Sequence, residues 1–279
     1  MLSRSELWLV LLIGTVCALV DFLMQTAFPI QFSTTMTVLA PTEFSILNWG
    51  GMRDFFLILT PLLAAFPCAW FYHEESENHS VIVYCTRGKA AHYYCGKALV
   101  VAVTAFAVTA LPLLINQMFT LLAAPFPVYG IFSNGVYPGH AGRRGLGVES
   151  FGVTLHVMFP GLYMNAPLLD ALVHMGLFGL FGAAMGLLSY AVSLFCRKNL
   201  VITLAAPAVL ALVYLLLMNV SGLGILVVQS VLHAAPAFSR NVHFSEQKTI
   251  GCILQLLLFF AAGFVLLHRK IKKCGDILT

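Results

Sequence analysis

Six apolar windows punctuate the chain, at Leu7–Ile30, Phe55–Tyr72, Ala98–Leu122, Leu168–Cys196, Leu200–Met218 and Thr249–Leu267. A helix rising 1.5 Å per residue needs about 20 residues to cross roughly 30 Å of hydrocarbon, so each window predicts a membrane span. The fourth and fifth windows are separated only by Arg197, Lys198 and Asn199, which predicts a tight helical hairpin at one membrane surface. A further apolar stretch, Gly222 to His233, is about twelve residues, or roughly 18 Å as a helix, and is too short to cross. It ends at Ala234, Ala235 and Pro236 before a polar run through Ser239, Arg240 and Asn241. It reads as a re-entrant helix over 222–236, or else as an extension of the fifth span. The expected fold is an all-α polytopic membrane protein occupying residues 1–279 as a single domain. It has six transmembrane helices, a cytoplasmic coupling helix and an outer re-entrant helix before the last span.

Between the second and third windows lies a charged island, Glu74 to Lys97. It carries Glu74, Glu75, Glu77, Arg87, Lys89, His92 and Lys97, interleaved with Val81, Ile82, Val83, Tyr84, Tyr93 and Tyr94. A helix there would have one greasy side, the form a membrane protein presents when something on the aqueous side must grip it. The connection 123–166 is rich in Gly and Pro, from Pro125 to Gly147. It is expected to be an irregular outer loop, with Phe151 to Phe159 lying on the membrane surface.

Composition reinforces the pattern. Hydrophobic residues make up 60% of the chain and charged residues 9%, with a mean hydropathy of +0.91. Soluble domains carry about 25% charged residues, so most of this chain is expected to be solvated by lipid. No interval approaches the roughly 100 residues of a separate soluble domain. The first thirty residues resemble a signal peptide, but the apolar run continues past Asp21 without a small-residue cleavage site and is expected to be a retained span. With both ends placed inside, the inner connections and termini carry ten basic residues and the outer ones five (Arg53, Arg143, Arg144, Arg240 and Lys248). Basic residues favour cytoplasmic connections, so both termini and the island are expected in the cytoplasm, most simply at a bacterial plasma membrane. The basic residues sit at span ends and form no nucleic-acid stripe. All seven cysteines fall in apolar windows or inner connections, as in a chain without structural disulfides.

Several motifs bear on chemistry. His73-Glu74-Glu75-Ser76-Glu77 approaches the zinc-binding H-E-x-x-H, but position 77 is Glu rather than the second His, so no metal site or catalytic residue is assigned. Gly88-Lys89 and Gly96-Lys97 are each followed by Ala and have no Gly five residues earlier, so neither is a phosphate-binding loop, and the chain is expected to bind no ATP by itself. Asp21 stands about 21 Å along the first span, where an ionisable residue is a functional candidate. With Gln25 it is a candidate for the substrate pathway, the alternative being a helix-capping role near the outer interface. Gly176, Gly179, Gly182 and Gly186 recur along the fourth span, and small residues at that spacing predict close helix packing. Asp170 and His174 lie one turn apart near the same span's outer end and read as a local polar pair.

The island carries a resemblance. Glu77 followed by an apolar helical stretch, then Thr86-Arg87-Gly88-Lys89, then Tyr93-Tyr94-Cys95-Gly96-Lys97, resembles the ABC-2 type transporter permeases. The run from Ser193 through Arg197, Lys198 and Asn199 to Pro207 is similar to their fourth-to-fifth span hairpin. The long Gly/Pro outer loop departs from the shorter one many members have. The resemblance implies the transmembrane subunit of an ATP-driven exporter that is not itself an enzyme. It would work with two copies of a separate ATPase, which binds ATP and Mg, and with a second permease copy. The coupling contacts would come from Glu77, Val81, Tyr84, Cys85, Arg87 and Lys89. The cargo would be amphipathic, a peptide before a lipid or glycan, exported by alternating access. Readings of another class are an intramembrane metal-dependent protease and a non-transporting immunity or sensor subunit.

Overall fold

The computed structural model describes residues 5–24, 56, 59–69, 90–123, 154–156, 167–196, 201–209, 213, 237–239 and 244–278. These form six helices and one short strand pair, in the order α1 (Ser5–Phe22), α2 (Leu59–Ala69), α3 (Ala90–Ala123), β1 (Thr154–His156), α4 (Pro167–Ser193), α5 (201–209), β2 (Ala237–Ser239) and α6 (Phe244–Leu278). Four helices contain stretches long and apolar enough to cross a membrane, at Ser5–Phe22, Ala91–Leu122, Ala171–Ser193 and Ile253–Lys272, while Leu59–Ala69 is a shorter apolar helix. The described surface carries large apolar side chains, which is compatible with a lipid surround. Leu99, Leu122 and Val201 are 68%, 78% and 76% exposed, and Trp8, Leu12, Val103, Leu257 and Phe264 also point outward.

Threonine in these apolar helices bonds back one turn. Thr60 donates to Phe56 O at 2.7 Å, Thr104 to Val100 O at 2.8 Å and Thr120 to Asn116 O at 2.8 Å. The helix thus absorbs its own hydroxyls, as a non-aqueous surround requires.

Contacts between helices fix their directions. Along α1 and α3, Gly14 meets Pro112, Ala18 meets Asn116 and Phe22 stacks near Phe119 at 5.6 Å, so the two run parallel. Along α4 and α6, Phe181 meets Phe259, Gly263 lies against Leu187 and Lys270 sits over Phe195, again a parallel pair. By contrast, Gly186 abuts Ala105 and Gly182 abuts Thr109, so α3 and α4 run opposite ways. Phe56 pairs with Phe178, while Ala64 and Cys68 reach Gly186, so α2 follows the direction of α4. Ser189 donates to Thr203 O at 3.0 Å and pins α5 back against α4, on either side of Arg197–Asn199.

The buried centre is α4, in which every residue from 181 to 190 is buried. Its close packing follows from small residues. A Cβ on Gly179 would stand 2.5 Å from Phe106 Cε2, and one on Gly182 would overlap Thr109. One on Gly186 would come 2.5 Å from Ala105 Cβ, 3.1 Å from Cys68 Sγ and 3.4 Å from Ala64 O. Gly176 differs, since a Cβ there meets nothing within 4 Å. Three-residue steps rotate by −60° around a helix, and by Gly176 the stripe has turned off the α3 contact.

Two findings depart from the sequence reading. Thr154–His156 is a strand, not irregular loop, and pairs antiparallel with Ala237–Ser239 in the register Thr154↔Ser239, Leu155↔Phe238, His156↔Ala237. It ties together the segments that lead into the parallel helices α4 and α6. In addition, α3 begins at Ala90, so the last residues of the island are its first two turns. There Tyr94 and Lys97 are buried, whereas His92 and Cys95 face outward.

Candidate functional site

The interior polar site lies between α1 and α3. Asp21 is 0% exposed and Asn116 is likewise fully buried. Asn116 Nδ2 donates to Ala18 O at 2.9 Å and to Asp21 Oδ2 at 3.2 Å. Both acceptors demand the amide nitrogen, so the network fixes which way the Asn116 side chain points. One carboxamide therefore joins a backbone carbonyl and a carboxylate of α1 to α3. Immediately beyond Asp21 the helix loosens into a wider π-helical turn at residues 23–24, a local form common at functional sites.

The sequence positions this junction through two earlier residues. Pro112 lies inside α3 and has no N–H to give Val108 O, so the ladder is interrupted there. Gly14 accepts the Pro112 ring, since a Cβ at position 14 would sit 2.6 Å from Pro112 Cγ. Only glycine lets α1 approach the interrupted turn so closely. One turn further along both helices, Ala18 and Asn116 are brought into hydrogen-bonding reach. Asn116 is about 9 Å from the α3 span end at Leu122, six residues at 1.5 Å each.

Polar groups continue around α3. Gln117 is 3% exposed, and its amide nitrogen and oxygen are both buried without a hydrogen-bond partner. An amide left so in an apolar surround costs on the order of 2–7 kcal/mol. Stepping the Gly186–Ala105 and Gly182–Thr109 contacts two turns further places His174, 6% exposed on α4, level with Gln117. Asp21, Asn116, Gln117 and His174 therefore occupy one end of the bundle, with Asp21 on α1 and His174 on α4 flanking α3. Chemically, the group offers a carboxylate, two carboxamides and an imidazole to a hydrogen-bonding or cationic ligand.

Of the residues singled out from sequence, Asp21 is thus built into an interhelical junction, and Gly179, Gly182 and Gly186 stand at close helix contacts. Gln25, Glu77, Val81, Tyr84, Cys85, Arg87, Lys89 and the stretch 222–236 lie outside the described residues. Asn116, Gln117 and Thr120 were missed. Their signal was present in sequence, since Asn116-Gln117 is the strongest polar pair within the third apolar window. Among the described residues, no group of three His, Cys, Asp or Glu side chains is arranged to hold a metal ion. No family model, curated protein or solved structure matches this chain.

Proposed function

We propose that this chain is the permease subunit of an ATP-binding cassette exporter of the ABC-2 type. It carries an amphipathic cargo, a peptide before a lipid or glycan, out of the cell. The observation that supports this reading best is Asp21, fully buried between two apolar helices and held by Asn116. A charged or ionisable group kept within hydrocarbon is costly, and where it faces the bundle interior it marks a pathway. The rest of the reading follows from the sequence. Six spans would put both termini on one side, the basic residues would make that side and the segment 74–97 cytoplasmic, and ATP and Mg would be bound by two partner ATPases. A second copy of the chain completes the pathway.

The mechanism rests on α3 as a rod. It runs helically from Ala90 to Ala123, so Asn116 lies about 39 Å along the same helix from Ala90, the residue after Lys89. Nucleotide-driven closure of the ATPases pushes on Glu77–Lys89, and α3 transmits the displacement to the Asn116–Asp21 junction. Pro112, where the ladder is interrupted, is the point at which the rod bends. Movement of Asn116 away from α1 would release Ala18 O and Asp21 for cargo.

Pull-down of the ATPase with single variants tests the reading. Tyr84→Ala is expected to dissociate the ATPase or uncouple hydrolysis from export, since aromatic anchors dominate such interfaces. Lys89→Ala is expected to be mild, because exposed ion pairs are worth under about 1 kcal/mol. Unchanged binding and export in Tyr84→Ala would remove the segment as the transmission point.

A further inference from the structure

The interior polar layer is wider than the α1–α3 junction. One turn before the Phe181–Phe259 contact, Gln255 enters from α6 and is 2% exposed. It stands about 4.5 Å along the axis from His174 of the parallel helix α4. Buried polar side chains from α1, α3, α4 and α6 therefore gather at one end of the bundle: Asp21, Asn116 with Gln117, His174 and Gln255. Asn116 donates to Asp21, and His174 and Gln255 are engaged as well. Gln117 differs from these, because its Nε2 and Oε1 are both buried with no hydrogen-bond partner.

Helical geometry sets where this amide stands. Gln117 lies about 100° round α3 from Asn116, off the α1 face, and about 7.5 Å before the span end at Leu122. Stepping back from it by whole turns reaches Phe106 and Leu99, within about 20° of the same line. Phe106 lies against Gly179 of α4, and both Phe106 and Leu99 are exposed. The amide thus ends an apolar, outward-facing strip of α3 beside α4, at the height where the strip becomes buried. An unpaired carboxamide in such a place calls for a partner in another state of the protein.

Resting on the exporter reading, we propose that Gln117 binds the backbone of an extended segment of the cargo, which makes the cargo a peptide. A carboxamide offers an acceptor and donors side by side, so its complement must donate and accept side by side. In an extended peptide the N–H and C=O of one residue point the same way, as when two strand residues exchange both bonds. The peptide N–H donates to Oε1 while Nε2–H donates to the peptide C=O. Apolar side chains of the segment continue down the strip past Phe106. The esters and phosphodiester of a glycerophospholipid only accept, and leave Oε1 bare. Sugar hydroxyls both donate and accept, but they do not suit an apolar strip. Gln117 adjoins Asn116 on the α3 segment beyond Pro112, so the movement that withdraws Asn116 from α1 uncovers both carboxamides.

The test uses the full chain in a polyoxyethylene detergent, without ATPase or nucleotide. It reads the fluorescence anisotropy of a capped, labelled peptide of alternating leucine and lysine. A comparator has the same side chains with every backbone amide replaced by an ester, which removes the N–H donors. The wild-type chain is expected to bind the peptide about tenfold more tightly than the ester, the order of one lost hydrogen bond with its buried partner left bare. Gln117→Met keeps the length of the side chain without its polar atoms, and is expected to bind peptide and ester alike. A peptide-to-ester ratio in Gln117→Met equal to that of the wild type would overturn the site. Equal binding of peptide and ester by the wild-type chain, or no binding of the peptide, overturns it without any variant. Displacement of the peptide by maltoheptaose or by phosphatidylcholine would overturn the peptide assignment. With no ATPase present, a failure here is separate from a failure of the exporter reading, which shows instead as the absence of co-purified ATP hydrolysis.

Discussion

Gly186 offers the sharpest perturbation of the bundle. It lies where α2, α3 and α4 converge, and a Cβ at this position would stand 2.5 Å from Ala105 Cβ and 3.1 Å from Cys68 Sγ. Ordinary carbon–carbon contact is about 3.5–4.0 Å, so Gly186→Ala must drive α3 and α4 apart by about 1 Å. Ala105 has no rotamer with which to yield. Overpacking of this kind costs about 1–3 kcal/mol. Replacing a mid-helix glycine returns about 0.5–1 kcal/mol, leaving a net loss between about 0 and 2.5 kcal/mol. Gly176→Ala receives the helix gain without the clash, since nothing lies within 4 Å of its Cβ position. Because both variants share the helix gain, they should differ by the overpacking cost alone, about 1–3 kcal/mol, or roughly 5- to 150-fold in the ratio of folded to unfolded protein. Titration with sodium dodecyl sulfate from a mild detergent, followed by tryptophan fluorescence, reads this difference directly. A Gly186→Ala protein as stable as Gly176→Ala would refute the close three-helix junction.

Three further outcomes follow from the same geometry. Gly14→Ala should destabilise the wild-type bundle by about 1–3 kcal/mol through the Pro112 ring and should be much better tolerated in a Pro112→Ala background, as a double-mutant cycle in the same detergent titration would show. Asn116→Leu strips two buried acceptors of their donor and should cost about 1–3 kcal/mol; equal stability to wild type would mean that the junction contributes nothing. Ser189→Ala should cost only about 0.6 kcal/mol, the average for an interhelical hydrogen bond in a membrane protein, and a loss several times larger would show that the Thr203 contact organises the α4–α5 hairpin.

The four spans in α1, α3, α4 and α6 were legible because hydrocarbon imposes a single rule, a run of apolar residues long enough to cross, and that rule survives without any knowledge of neighbours. Hydropathy marks where lipid ends and not where a helix ends, which is why α3 starts at Ala90 while its apolar window starts at Ala98. The same averaging hid Asn116 and Gln117 among Leu, Ile, Met and Phe. Asp21 stood out because a lone carboxylate in an apolar run is visible without a partner, but the carboxamide that holds it is 95 residues away. The Gly179–Gly186 contacts were readable from spacing, whereas the rotation of Gly176 off that face depends on where α3 leaves α4. The strand pair was illegible for another reason. It joins three-residue segments about 80 residues apart, and no local pattern specifies such a pairing.

The central claim is that this chain forms the membrane half of an ATP-driven machine, and ATP hydrolysis by its purified complex tests that claim most directly. The tagged chain, extracted from its native membrane in mild detergent, is expected to bring with it a Mg-dependent ATP hydrolysis that the isolated chain does not show. That activity should be lost from the purified material when Tyr84→Ala releases the ATPase. Absence of ATP hydrolysis from the wild-type preparation, or hydrolysis by the isolated chain itself, would contradict the account.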